Sequence, residues 1–204
     1  MVRPLVFALV LALSATGACA DRYSDCNQSA DPDRRIRGCT QVIERGKRES
    51  REDRSFAYTN RGNAYDDKGE VDRAIADYTK ATALDPNYAM AYTNRGLTYE
   101  KKGEVDRAIA DYTKAIALDP NYAIAYTNRG AAYYSKGEVD RAIADFDETI
   151  KRNPNYAITY TNRGYAYEKK GDKDQAIADF RKALEINPST QDAKDSLKRL
   201  GVTP

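Results

Sequence analysis

The residues best suited to binding are four asparagines that recur every 34 residues, namely Asn60, Asn94, Asn128 and Asn162. A carboxamide offers one acceptor and two donors, so it can pair with the N–H and C=O of a peptide whatever side chains that peptide carries. The pattern favours a row of amides that binds the main chain of an extended segment. The alternative stays open that the four amides are tolerated surface residues kept by duplication.

Two further sets of residues keep the same interval. The first set is apolar and consists of Phe56, Met90, Ile124 and Ile158. The second set differs from one repeat to the next and consists of Asn63, Leu97, Ala131 and Tyr165. We expect both sets to lie beside the asparagines, where the variable set would determine specificity.

The composition excludes several kinds of site. The 204 residues contain no His, which excludes a Ser-His-Asp hydrolase and a His-ligated zinc or haem site. A formal net charge of +2 gives no strong field for holding nucleic acid. We therefore expect no enzyme, metal site, cofactor, small-molecule substrate or nucleic-acid partner.

Acidic residues recur beside arginines. Asp77 follows Arg73 by four positions, and Asp111 follows Arg107 by the same interval. On a helix this spacing predicts surface ion pairs, each worth about 0.3 kcal/mol. We interpret these carboxylates as surface residues and not as a catalytic pair.

The first twenty residues have the plan of a secretory signal peptide. Arg3 precedes an apolar run over Leu5–Leu13, and small residues lead to Ala18-Cys19-Ala20. This pattern predicts export, with cleavage after Ala20 and a periplasmic or secreted chain. One alternative is a lipoprotein anchored to the membrane at Cys19, and another is a buried core helix.

Cleavage after Ala20 would leave two cysteines, Cys26 and Cys39. An even pair in a chain bound for an oxidising compartment predicts a disulfide. Two free thiols are the alternative if the chain is not exported.

A period of 34 residues divides the middle of the chain. It separates four units, at 55–88, 89–122, 123–156 and 157–190. One helical face of the first unit carries Tyr58, Gly62 and Tyr65. An apolar stripe on a second helix consists of Ala74, Ile75, Tyr78, Ala81 and Leu84. Pro86 ends that second helix. Because so thin a helix pair cannot bury its own stripe, the units must stack.

These residues resemble the tetratricopeptide repeat. The first unit matches the family at Tyr58, Gly62, Tyr65, Ala74, Tyr78, Ala81 and Pro86, and the second at Tyr92, Gly96, Tyr99, Ala108, Tyr112, Ala115 and Pro120. The resemblance covers residues 55–190 and implies an all-α, right-handed superhelical solenoid whose first helices line a concave groove containing the asparagines. The chain departs from the family pattern at Thr149 and at Arg61, Arg95, Arg129 and Arg163. We expect these arginines to pack their stems along the helix pair and to extend their guanidinium groups outward.

The flanks suit the ends of a stacked array. Residues 21–54 are interpreted as a degenerate half-unit followed by a charged loop over 47–54. Residues 191–204 are interpreted as a C-terminal cap helix and tail, with Ser189-Thr190-Gln191-Asp192 resembling a capping box.

The sequence thus predicts a module that binds an extended segment of another envelope or secreted protein. Two alternatives are a self-associating scaffold without a groove ligand and an accessory factor for cell-wall enzymes. Family members that hold the terminal carboxylate of chaperones use Lys where this chain has Thr59, Thr93, Thr127 and Thr161, which disfavours that partner.

Overall fold

The computed structural model describes residues 23–203, and all regular structure in this range is helical. Residues 23–28 form α1, which lies before α2 (Pro32–Glu44) and a short 3₁₀ turn (Gly46–Arg48). The four units follow as helix pairs α3 (Arg51–Asp67) and α4 (Val71–Leu84), α5 (Ala89–Lys101) and α6 (Val105–Leu118), α7 (Ala123–Ser135) and α8 (Val139–Arg152), and α9 (Ala157–Lys170) and α10 (Lys173–Ile186). The last helix is α11 (Gln191–Arg199). The predicted leader at 1–20 lies outside the described residues.

Local signals set the ends of the helices. Gly69 follows α3 with φ of +74°, a left-handed conformation that costs glycine little. Asp85, which precedes Pro86, is extended and ends α4. The first helix of the first unit begins at Arg51, because the Ser50 hydroxyl accepts a hydrogen bond from the Asp53 N–H at 2.9 Å. Residues 51–54 are therefore helical, whereas the sequence analysis expected a loop.

The two helices of each unit meet at what we call the seam, where a glycine faces an aromatic ring. A β-carbon on Gly62 would lie 2.7 Å from Cε1 of Tyr78, and one on Gly130 would lie 2.7 Å from Cε1 of Phe146. Both rings are fully buried, with at most 1 % of their surface exposed. The space above each glycine is thus filled by an aromatic ring of the second helix.

Each unit is covered by the next, which confirms the predicted stacking. Ala132 of α7 joins Tyr99 and Tyr112 of the preceding unit in one buried cluster. Ala166 of α9 joins Phe146 in the same way. The stripe of the fourth unit is closed by α11, whose Ala193 and Leu197 are fully buried against Phe180. The predicted cap helix is therefore confirmed, although Thr190 caps it without a side-chain hydrogen bond, so the predicted capping box is wrong.

The predicted surface pairs are wrong. Asp77 and Asp111 are buried, with 6 % and 7 % of their surface exposed, and their partners lie on the first helix of the unit. Arg95 holds Asp111 through two hydrogen bonds of 2.7 Å, from Nε to Oδ2 and from Nη2 to Oδ1. We call this two-point pair the clasp, and it recurs in every unit as Arg61 with Asp77, Arg95 with Asp111, Arg129 with Asp145, and Arg163 with Asp179.

The clasp arginines also do not extend their guanidinium groups outward. The guanidinium carbon of Arg95 lies 5.5 Å from the ring centroid of Tyr92 and 5.9 Å from that of Tyr99, so the group is enclosed by aromatic faces. Its third nitrogen, Nη1, donates to the hydroxyls of Thr79 and Thr82 in the preceding unit at 3.2 Å. One arginine therefore joins the two helices of its own unit and the unit before it.

The N-terminal hairpin is closed covalently. Cys26 of α1 and Cys39 of α2 form a disulfide with a sulfur–sulfur distance of 2.08 Å, as the sequence predicts. Both cysteines are buried with Val42 of α2 and Ala57 of α3. This hairpin thus covers the first unit as each unit covers its neighbour. No helix within residues 23–203 is long and apolar enough to cross a membrane.

Candidate functional site

The first helices α3, α5, α7 and α9 carry the predicted binding residues, and we call their exposed surface the inner wall. The large apolar side chains that stand exposed in residues 23–203 all lie here, at Phe56, Met90, Leu97, Ile124 and Ile158. Their exposed fractions run from 37 % at Leu97 to 50 % at Ile158. A row of exposed apolar side chains on one surface is typical of a binding face.

The four asparagines lie on the inner wall as partly exposed residues, but their hydrogen bonding differs. Asn94 donates from Nδ2 to Oδ1 of Asn63 at 2.9 Å, and the same oxygen accepts from the Tyr78 hydroxyl at 2.7 Å. Asn60 donates to Oδ1 of Asn27 at 3.4 Å. For Asn128 and Asn162, the described residues provide no side-chain hydrogen-bond partner. The amides of the last two units are therefore available to a ligand, whereas those of the first two are engaged.

A polar cavity of about 340 Å³ lies on the inner wall of the first two units. Its lining comprises Arg35, Asn63, Asp66, Asp67, Tyr78, Asn94 and Leu97. The charges in it are paired, because Asp66 binds Lys101 at 2.5 Å and Asp67 binds Arg35 at 3.0 Å. This part of the wall is thus internally satisfied apart from Oδ1 of Asp66, which is buried without a hydrogen-bond partner.

Glu100 at the end of α5 is a second engaged group. Its Oε2 accepts a hydrogen bond from the Tyr112 hydroxyl at 2.5 Å. Burial raises the pKa of the Glu100 carboxyl, and the bond from Tyr112 lowers that pKa by a smaller amount. Burial likewise raises the pKa of the Tyr112 hydroxyl, so this tyrosine stays neutral and acts as the donor. The tyrosine rings of the first two seams thus reach the inner wall through their hydroxyls.

The last two units carry two neighbouring cavities of different character. The smaller one, of about 70 Å³, is lined by Ala131, Tyr134, Phe146, Asn162 and Tyr165. The larger one, of about 430 Å³, lies between α9 and α11 and is lined by Ala157, Ile158, Thr161, Asn162, Asn187, Thr190, Gln191 and Asp192. Asn162 lines both cavities and so stands between them.

Four threonines of the first helices have structural roles. The hydroxyls of Thr59, Thr93, Thr127 and Thr161 donate to the carbonyl four residues earlier in the same helix. The residues that the structure describes contain no group of three or more His, Cys, Asp or Glu able to hold a metal ion. The inner wall therefore offers amides, apolar surface and cavities as its means of binding.

Comparison with known proteins shows what the fold resembles. The family model described as "TPR repeat" matches residues 62–103 and 101–137, and that described as "Tetratricopeptide repeat" matches residues 123–156 and 157–190. No curated protein matches the chain at a significant level.

Three solved structures are similar to the chain. One crystal structure of MamA is 34 % identical, with a TM-score of 0.69, and the match covers 78 % of this chain and 90 % of that one. A second MamA structure is 30 % identical, with a TM-score of 0.70 and coverage of 93 % and 97 %. The first repeat domain of Spaghetti (RPAP3), bound to the HSP90 peptide SRMEEVD, is 29 % identical, with a TM-score of 0.55 and coverage of 55 % and 90 %.

The family matches run over the same repeats that the clasps and seams define in the structure. The seam glycine, the ring beneath it and the small residues of the second helix all occupy the positions on which the sequence resemblance rests. The repeat is a protein-protein interaction module built as an all-helical solenoid. This chain belongs to the tetratricopeptide repeat family.

Proposed function

We propose that this chain is an exported module that binds an extended segment of an envelope or secreted partner on its inner wall. The observation that carries the proposal is the pair of amides on α7 and α9. Asn128 and Asn162 stand half-exposed beside Ile124 and Ile158, and the described residues offer them no side-chain partner. Such amides can pair with a peptide main chain while the apolar residues contact its side chains.

The repeat spacing suits an extended ligand. Packed helices lie about 8–10 Å apart, and an extended chain advances about 3.3 Å per residue. Successive first helices would therefore meet a bound segment at about every third residue. The solved complex of the Spaghetti repeat domain with an HSP90 peptide supports peptide binding by this kind of module. The threonines of this chain still disfavour a chaperone carboxylate as the ligand, because their hydroxyls are engaged within the helix.

A peptide selection tests the binding proposal. The mature chain is used to select from a displayed library of random 11-residue peptides. We expect enriched peptides whose binding is weakened about tenfold or more by Asn128→Ala combined with Asn162→Ala, because two main-chain partners are lost. The matched control is Asn121→Ala with Asn155→Ala, which changes two exposed asparagines in the turns between units.

The binding and melting results together support or overturn the proposal. Retained binding by the control variant and an unchanged helical melt in both variants would locate the loss at the inner wall. Failure to enrich any peptide, or equal binding by the wild type and the variant at 128 and 162, would overturn the proposal.

The export part of the proposal is supported by the disulfide between Cys26 and Cys39, since disulfides persist in oxidising compartments. The mass of the chain recovered from cells tests it. We expect a chain that begins at Asp21, whereas a lipid-modified chain that begins at Cys19 would favour the anchored alternative. An intact chain that begins at Met1 would contradict export.

A further inference from the structure

The small cavity between the third and fourth units exists because one residue is small. Ala131 lies where the other units carry Asn63, Leu97 and Tyr165. In the fourth unit the residue at this position packs its ring against the seam ring, with Tyr165 and Phe180 edge to face at 5.4 Å. Alanine cannot reach the equivalent Phe146, and the space of about 70 Å³ remains between them.

The lining of this cavity specifies the charge of its occupant. Four of its five residues present carbon or an aromatic face, and Asn162 supplies the amide. Two cations lie near the lining tyrosines. Lys169 is exposed, lies 4.6 Å from the ring centroid of Tyr134 and donates to the carbonyl of that residue, and Arg199 interacts with Tyr134 and Tyr165. A charged side chain in the cavity would lose its hydration against carbon and aromatic faces, which is strongly unfavourable. An apolar side chain would instead exchange water for close contact with Phe146 and Tyr165.

The volume specifies the size of the occupant. A single water needs about 10–15 Å³ of such space, so this cavity holds roughly five groups of that size. A leucine or isoleucine side chain has four carbons and fits that space, whereas an alanine would leave most of it empty.

The amide fixes how the occupant is attached. Asn162 lines the small cavity and the larger cavity against α11, and it has no side-chain hydrogen bond within the described residues. A peptide that crosses α9 would pass its main chain over Asn162 with side chains entering the cavities on either side.

We infer that the cavity at Ala131 is the anchor subsite for one leucine-sized apolar side chain of the bound segment, with Asn162 pairing to the adjacent main chain. This inference rests on the proposed function, since it names the ligand feature that the inner wall selects. It assigns specificity to the third and fourth units and not to the first two.

Filling the cavity tests the inference. Ala131→Leu places a leucine where the second unit already carries Leu97, so the substitution suits the fold. Three displayed libraries serve as probes, each with random residues around a fixed central Leu, Asp or Lys. We expect the wild type to enrich the leucine library, and Ala131→Leu to bind the selected leucine peptides roughly tenfold or more weakly. Ala144→Leu, which adds the same side chain at an exposed position of α8, is the matched control and should keep the wild-type preference.

The outcomes distinguish failure of the leucine subsite from failure of the proposed peptide binding. Enrichment of all three libraries alike by the wild type, or unchanged binding by Ala131→Leu with an unchanged helical melt, would overturn the subsite and leave groove binding standing. An equal loss of binding in Ala144→Leu would show that the effect does not come from filling the cavity, and it would overturn the inference. No enrichment from any library would overturn both.

Discussion

The first two units and the last two units share one seam but differ on the inner wall. All four seams carry a glycine over a buried ring and an arginine–aspartate clasp. The rings are Tyr78 and Tyr112 in the first half and Phe146 and Phe180 in the second. The tyrosine hydroxyls bond to Asn63 and Glu100, so the first half of the wall is engaged.

The phenylalanines have no hydroxyl, so the seams of the second half donate no hydrogen bond to the inner wall. A difference of one oxygen in a buried ring thus decides whether a seam is hydrogen-bonded to the wall. The seam provides the shared architecture, and the wall provides what distinguishes one unit from another.

The largest expected effect tests whether the seam is equivalent in both halves. Asp111→Ala leaves Arg95 enclosed without its counterion, and Asp145→Ala does the same to Arg129. Because removing one partner of a buried ion pair leaves an uncompensated charge, each should lower the free energy of unfolding by about 3 kcal/mol. Urea denaturation followed by circular dichroism measures this loss.

An exposed aspartate on the same helix is the control for the clasp. Asp106 of α6 pairs with Lys136 at 2.5 Å, but 83 % of its side chain is exposed. Asp106→Ala should change stability little, since exposed pairs contribute little. If Asp111→Ala costs no more than Asp106→Ala, the clasp does not hold the seam. If Asp145→Ala lowers the free energy of unfolding much less than Asp111→Ala does, the seams of the second and third units are not equivalent.

An intermediate effect sharpens the difference between the two halves. Phe146→Tyr gives the third seam the hydroxyl of the first two, but Ala131 offers it no acceptor where the first unit has Asn63. The amide of Asn162, which lines the same cavity, is the acceptor that remains, so the added hydroxyl costs part of the roughly 1–3 kcal/mol of a buried hydroxyl with no partner. The variant should therefore unfold at lower urea concentration.

A second substitution supplies the missing acceptor. Ala131→Asn combined with Phe146→Tyr recreates the pair formed by Asn63 and Tyr78, and it should recover most of the lost stability. The double variant should also lose the binding of leucine peptides, because the cavity is filled. Equal stability of the single and double variants would show that the ring oxygen does not determine how the wall is engaged.

The architecture was largely predictable because it depends on repeated residue types. The 34-residue period, the apolar stripe, the cap helix and the pairing of Cys26 with Cys39 all follow from the sequence, and the structure confirms each. These features need only helical periodicity and the requirement that apolar stripes be covered.

The clasp was missed because its partners are distant in sequence. Asp77 lies four residues after Arg73 but sixteen after Arg61, and the choice between them depends on how the two helices pack. The fourth unit contained a usable signal. Gln175 replaces the nearer arginine there, yet Asp179 is kept together with Arg163, so the nearer arginine cannot be the partner on which that aspartate depends.

The sequence also could not predict which of the four asparagine amides are hydrogen-bonded. Four asparagines at equal spacing look equivalent, but each one's hydrogen bonding depends on its neighbours at the variable position. Asn94 bonds to Asn63, whereas Asn162 faces Ala131, which has no acceptor in its side chain. The surface that carries the four asparagines was therefore predictable, and its division into two halves required the packed side chains.

The smallest expected effect concerns the charge on the engaged half of the wall. Burial raises the pKa of Glu100 above the ordinary value of about 4.3, so the folded state favours the protonated carboxyl. This preference stabilises the folded state fully at pH below that ordinary value. This contribution is lost as the pH rises through the raised value. Glu100→Gln, which keeps an acceptor for Tyr112, should therefore be more stable than the wild type at pH 7 by less than about 1 kcal/mol, and equally stable near pH 3.

Glu104 provides the control with the opposite sign. The hydrogen bond from Arg107 lowers the pKa of this partly exposed carboxyl, so its contribution to stability is present at neutral pH and is lost as the pH falls. Glu104→Gln should be slightly less stable than the wild type at pH 7, and the difference should vanish in acid. Thermal melts of the two variants across this pH range measure both signs. If both variants shift in the same direction, burial does not govern Glu100, and the first half of the wall is more open to solvent than its hydrogen bonds indicate.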